Sequence, residues 1–83
     1  MTRRQFSGRE IAKVFVNEWG FVPDGGQGDH RVFRYEHPDN DDDVRTVTVP
    51  MHDPISIGTL RDIANQAGAD RFEDFCEEVD RCL

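Results

Sequence analysis

The sequence predicts an α+β domain in which helices cover one face of a three-stranded antiparallel sheet. Three observations predict it. An amphipathic stretch near the N-terminus is closed by a glycine, three β-rich segments come next with short turns between them, and two more amphipathic stretches come last.

Ser7-Gly8-Arg9-Glu10 has the S-x-x-E form of a capping box. Ile11, Val14, Phe15 and Trp19 then recur at helical spacing, with Gly20 at the stop position. A first helix is predicted over residues 8–19, with Arg9, Lys13 and Asn17 on its opposite face. Phe21-Val22 reads as a short strand ending in the glycine-rich turn Pro23-Asp24-Gly25-Gly26. Residues 30–36, His-Arg-Val-Phe-Arg-Tyr-Glu, are rich in β-formers and predict a second strand. Arg31, Phe33 and Tyr35 fall on one side of it, and His30, Val32 and Arg34 on the other. Pro38-Asp39-Asn40-Asp41-Asp42-Asp43 has nothing to bury and predicts a solvated hairpin turn. Residues 44–49 predict a third strand, closed by Pro50.

A loop spans residues 51–56. Leu60, Ile63, Ala64 and Ala67 form the apolar stripe of a second helix that opens at Ile57 and stops at Gly68. Asp70 and Glu73 repeat the capping-box spacing and predict the start of a third helix there. Its buried face is Phe72, Phe75, Cys76 and Val79.

With 83 residues, one domain spanning 1–83 is the economical reading. A chain of this size buries about 63% of its unfolded surface, which supports one modest core and excludes a doubly wound cofactor fold or a barrel. No apolar run reaches transmembrane length, and the opening MTRRQFSGRE lacks a signal-peptide core. A cytoplasmic protein is expected.

Acidic residues outnumber basic ones 17 to 10, for a net charge of −7, and Lys13 is the only lysine. Such a composition suits a halophile, whose proteins stay soluble in concentrated salt through net negative charge; a merely acidic protein is the alternative. The charge is uneven. Residues 1–35 hold six basic and four acidic side chains, a balance of +2, whereas residues 36–83 hold four and thirteen, a balance of −9. A local positive patch in the first half is therefore compatible with the acidic total. Cys76 and Cys82 lie six apart with no histidine nearby, which predicts free thiols.

Of the three histidines, His37 adjoins the acidic turn and is expected in solvent. His52, at the exit of the third strand, is expected to serve its loop. His30 begins a strand directly after Gly25-Gly26-Gln27-Gly28-Asp29, with Arg31 and Arg34 close in sequence. A glycine turn admits a bulky ligand to the backbone, so His30 suits a phosphate; from these residues alone a plain turn histidine is the default reading. No G-x-S-x-G, Walker or Cys-x-x-Cys pattern is present, and the histidines and acids show no metal-ligand spacing.

The chain resembles the HicA family of toxin–antitoxin mRNA interferases. The residues that carry the resemblance are Ser7-Gly8-Arg9-Glu10, Trp19-Gly20-Phe21, Gly28-Asp29-His30, Thr48-Val49-Pro50-Met51-His52, Ile57-Gly58-Thr59-Leu60-Arg61-Asp62-Ile63 and Gln66-Ala67-Gly68. They run in the family's order across roughly residues 6–76. The resemblance implies a double-stranded-RNA-binding-domain-like fold, endoribonuclease activity, a catalytic histidine at His30 and a HicB-like antitoxin partner that masks the site. Where the family's usual motif is Gly-Ser-His, this chain has Asp29, an acid beside the expected RNA phosphate. RNA carries its own nucleophile in the 2′-hydroxyl, and an imidazole can take that proton or protonate the leaving oxygen near neutral pH. Arginine can offset charge developing on the phosphate. Arg34 shares the face of His30 and leads the candidates, with Arg45 on the third strand second. Arg31, Gly28 and Lys13 complete the expected RNA surface. The scheme calls for no metal and no cofactor. The rival reading is a non-catalytic RNA- or protein-binding module of the same fold.

Overall fold

A computed structural model describes residue 3 and residues 5–83. Residues 1, 2 and 4, part of the stretch searched for a targeting signal, lie outside the described residues. The order of elements is α1 (Gly8–Asn17), β1 (Val22–Gln27), β2 (His30–Glu36), β3 (Val44–Pro50), α2 (Ile57–Gln66) and α3 (Phe72–Cys82). The strands form one antiparallel sheet in the order β1-β2-β3. This is the α+β, double-stranded-RNA-binding-domain-like arrangement, with α3 added at the C-terminal end.

The helix α1 starts where the S-x-x-E pattern places it. The Ser7 hydroxyl accepts from the Glu10 N–H at 3.1 Å, and the Glu10 carboxylate accepts from the Ser7 N–H at 2.9 Å. The Ser7 N–H holds the Glu10 carboxyl below its ordinary range against the opposing effect of burial, with Arg3 adding to the lowering. The helix ends at Asn17, two residues before the expected limit, and Gly20 turns the chain with φ +75°.

Phe15 anchors the core. Its ring stacks on Phe21 at 4.6 Å and meets Phe33 and Phe75 edge-on at 6.1 and 6.4 Å. Phe33, Val47 and Val49 supply the sheet's share, and Leu60, Ile63, Ala64, Phe75, Cys76 and Val79 that of α2 and α3, all buried. The helical stripes read from periodicity are thus the packed faces. No disulfide joins Cys76, which is buried, and Cys82, which is half-buried.

Three expectations are corrected. First, β1 does not stop at Val22. It runs on through Pro23-Asp24-Gly25-Gly26, and the chain reverses only at Gly28-Asp29. Between the pairs Pro23↔Phe33 and Gly26↔Arg31, two residues of β1 face one of β2, a β-bulge. Pro23 and the bulge also blunt this edge of the sheet. Second, α3 is not capped by Asp70. The helix begins at Phe72 with Arg71 at the N-cap and no side-chain cap bond. Third, His37 is half-buried rather than free in solvent. Its Nδ1 accepts from the Asp39 N–H at 3.0 Å and its ring meets Tyr35, so it organises the acidic turn.

The other edge, β3, is covered by α2, where the Gln66 side chain accepts from the Thr48 N–H at 2.9 Å. No helix among the described residues is long and apolar enough to cross a membrane.

Candidate functional site

Strand parity divides the expected site residues between two faces. On β2 and β3, Phe33, Val47 and Val49 point into the core, so Tyr35 and its partner Arg45 share the helix-covered side. His30 and Arg34 occupy the open side, and both are exposed. The two are four residues apart on one strand, about 13 Å at the usual strand rise. Arg34 donates to Glu36 at 2.8 Å on the same face.

Arg45 is not brought to His30. Its guanidinium donates to the Ala67 carbonyl at 2.7 Å, pairs with Asp43 at 3.1 Å and lies 5.8 Å from the Tyr35 ring centre. It closes the C-terminal end of α2 onto the sheet. A cleft of about 520 Å³ lies on this same side, lined in part by Trp19, Tyr35, Arg45 and Arg71. Neither His30 nor His52 lines it.

His30 is held by a hairpin turn and a ladder. Gly28-Asp29 is a two-residue turn with φ +58° at the glycine. A left-handed glycine in the first central position is what a type II′ hairpin turn requires, and its twist suits the flanking strands. His30 pairs with Gln27 on β1 and with Pro50 on β3. Arg31 points to the other face, yet its guanidinium folds back to donate to the Gly28 carbonyl at 2.9 Å. It is the one arginine of the expected set that braces the turn bearing His30. Asp29 uses its carbonyl to accept from the Met51 N–H at 2.6 Å. No hydrogen bond joins Asp29 to His30 among the described residues. Lys13 is exposed on α1.

The third-strand exit contributes a neighbour that local sequence does not reveal. The His52 ring lies 6.3 Å from that of His30, centre to centre, at 70° to it. Its backbone serves the loop as expected, the carbonyl accepting from the Gly8 N–H at 2.9 Å, while the imidazole is exposed. The signal was the strand pairing, which sets Pro50 opposite His30. No group of three or more histidine, cysteine or carboxylate side chains with metal-site geometry occurs among the described residues.

No curated protein and no solved structure gives a significant match to the chain. The model of the HicA toxin of bacterial toxin–antitoxin systems matches residues 8–69. That span runs from the first residue of α1 to just past the end of α2 and takes in the whole sheet, the Gly28-Asp29 turn, His30 and His52. The chain therefore belongs to the HicA toxin family, the toxins of bacterial toxin–antitoxin pairs.

Proposed function

We propose that this toxin is an endoribonuclease that cleaves mRNA by intramolecular transesterification, with His30 transferring a proton at the scissile phosphate. The observation that carries the reading is the placement of His30, exposed beside a glycine turn on the sheet face that the helices leave open. A polymer can lie across such a face, whereas a small substrate would need a pocket. RNA supplies the nucleophile, so the protein must orient the phosphate, offset its charge and move protons. An imidazole does the last near neutral pH, and the scheme runs without a metal ion.

Arg31, which braces the turn bearing His30 by donating to the Gly28 carbonyl, is the cation assigned to the reacting phosphate. Arg34, about 13 Å along the strand, is set for a neighbouring phosphate of the same RNA. Its pairing with Glu36 is solvent-exposed and worth about 0–1 kcal/mol, so RNA can displace it. Lys13, exposed on α1, belongs to the helical layer and is a more remote candidate for RNA contact. Arg45 acts in stability rather than in RNA contact. A HicB-like antitoxin would silence the toxin by covering the same open face in the cytoplasm.

Induced expression in a bacterial host tests this reading. Wild type is expected to arrest growth and deplete bulk mRNA, His30→Ala to do neither, and co-expressed antitoxin to restore growth. Equal arrest by a folded His30→Ala protein would remove His30 from the mechanism, and arrest by wild type without loss of mRNA would favour a non-catalytic binding module.

A further inference from the structure

We infer that His52 is the second proton-transfer group of the site, acting at the opposite end of the scissile phosphodiester from His30. The inference rests on the endoribonuclease reading and goes beyond it, because that reading needs only one histidine.

Three elements converge to hold the two imidazoles together. The residues that precede them are bonded directly, Met51 N–H to Asp29 carbonyl at 2.6 Å. The β2–β3 register sets His30 opposite Pro50. The first residue of α1 then fixes the backbone of His52 itself, Gly8 N–H donating to the His52 carbonyl at 2.9 Å. That contact exists only because residue 8 has no side chain. A Cβ there would stand 2.2 Å from the Pro50 carbonyl oxygen and 2.7 Å from the Met51 Cα. Two residues 22 apart in sequence thus present exposed rings 6.3 Å apart. An imidazole nitrogen transfers protons over heavy-atom distances of about 2.6–3.2 Å. Rings at this separation can therefore address the entering and leaving oxygens of a single phosphate.

The chemistry uses two such groups. As the O2′–P bond forms, one neutral imidazole takes the 2′-hydroxyl proton. As the P–O5′ bond breaks, the other, as imidazolium, gives its proton to O5′. The products are a 2′,3′-cyclic phosphate and a 5′-hydroxyl, no water is consumed, and the two rings end with exchanged protonation states that solvent resets. The charged residues next to the pair along the chain are Asp29 and Arg31 beside His30, Asp53 after His52, and Arg9 after the Gly8 that bonds the His52 carbonyl.

The test measures kcat/KM against pH for wild type, His30→Ala, His52→Ala and His52→Gln. The substrates are a short RNA and its analogue with a bridging 5′-phosphorothiolate, whose sulfur departs without a proton. Wild type is expected to give a bell-shaped profile. Each His52 variant is expected to lose about 10²–10⁴-fold and one limb of the bell. One of the two alanine variants, and not both, should approach the wild-type rate on the phosphorothiolate. His52 variants within threefold of wild type with both limbs intact would overturn the inference while leaving the ribonuclease reading in place. So would recovery of both alanine variants, or of neither, on the sulfur substrate. RNA left intact by wild type would overturn the ribonuclease reading itself, and the pair with it.

Discussion

The same substitution, glycine to alanine in the first turn of a helix, is expected to have opposite effects at Gly8 and Gly58. In a helix interior, alanine is favoured over glycine by about 0.8–1.0 kcal/mol. At Gly58 no neighbouring atom lies within 4 Å of the new methyl, so Gly58→Ala should stabilise by up to that amount. At Gly8 the methyl would meet the Pro50 carbonyl oxygen at 2.2 Å, the Met51 Cα at 2.7 Å and the Pro50 carbonyl carbon at 3.0 Å. All three are backbone atoms, and none can swing aside like a flexible side-chain end. Relief requires α1 and the β3 exit to part by about 1 Å, which stretches the Gly8–His52 hydrogen bond and loosens Ile11 and Phe15 in the core. Overpacking of this kind costs about 1–3 kcal/mol. For a domain of this size that lowers the melting temperature by roughly 4–8 °C per kcal/mol. Thermal denaturation monitored by circular dichroism, with both variants beside wild type, reads the two signs directly. A Gly8→Ala protein melting at or above wild type would refute the close approach of α1 to Pro50-Met51.

Further consequences concern charge. Arg45→Ala removes the bond to the Ala67 carbonyl and the Asp43 pair, and should lower stability by about 1–2 kcal/mol in urea unfolding; lost cleavage in a variant as stable as wild type would instead move Arg45 to the RNA surface. Asp29→Ser keeps the backbone carbonyl that holds Met51 and removes a negative charge beside the phosphate. It should tighten RNA binding and speed cleavage, most at low salt; slower cleavage at every salt concentration would show that the carboxylate serves His30. Thirteen acids in residues 36–83 repel one another, and the screening length falls to about 3 Å at 1 M salt. The melting temperature should therefore rise into molar salt, and a flat or falling trend would remove the halophile reading without touching the toxin assignment.

Where a rule is local and unopposed, the chain was legible. The Ser7–Glu10 box, the helical stripes, the Gly68 stop and the alternation that buries Phe33 all rest on residues within a few positions of each other. Strand β1 was not legible beyond Val22, because Pro23-Asp24-Gly25-Gly26 offers no alternating apolar side chains. It is a strand only through its backbone pairing with β2. Asp70 fits a cap by spacing, but the chain leaves Gly68 in a direction that makes Arg71 the N-cap. At the site, face parity placed His30 with Arg34 correctly. The commitment of Arg45 to Ala67 depends on the strand's packing against α2, which no local pattern encodes. The approach of His52 to His30 depends on register and on one backbone bond, Met51 to Asp29, so two histidines that look unrelated in sequence become neighbours.

Metal-free RNA cleavage at an open site built around His30 can be decided by incubating purified wild type and His30→Ala with one RNA in the presence of EDTA and analysing the fragment ends. Wild type should yield 5′-hydroxyl and 2′,3′-cyclic phosphate ends, and an equally folded His30→Ala should leave the RNA intact. Equal cleavage by the two proteins, or cleavage by wild type that stops when EDTA is added, would contradict that mechanism.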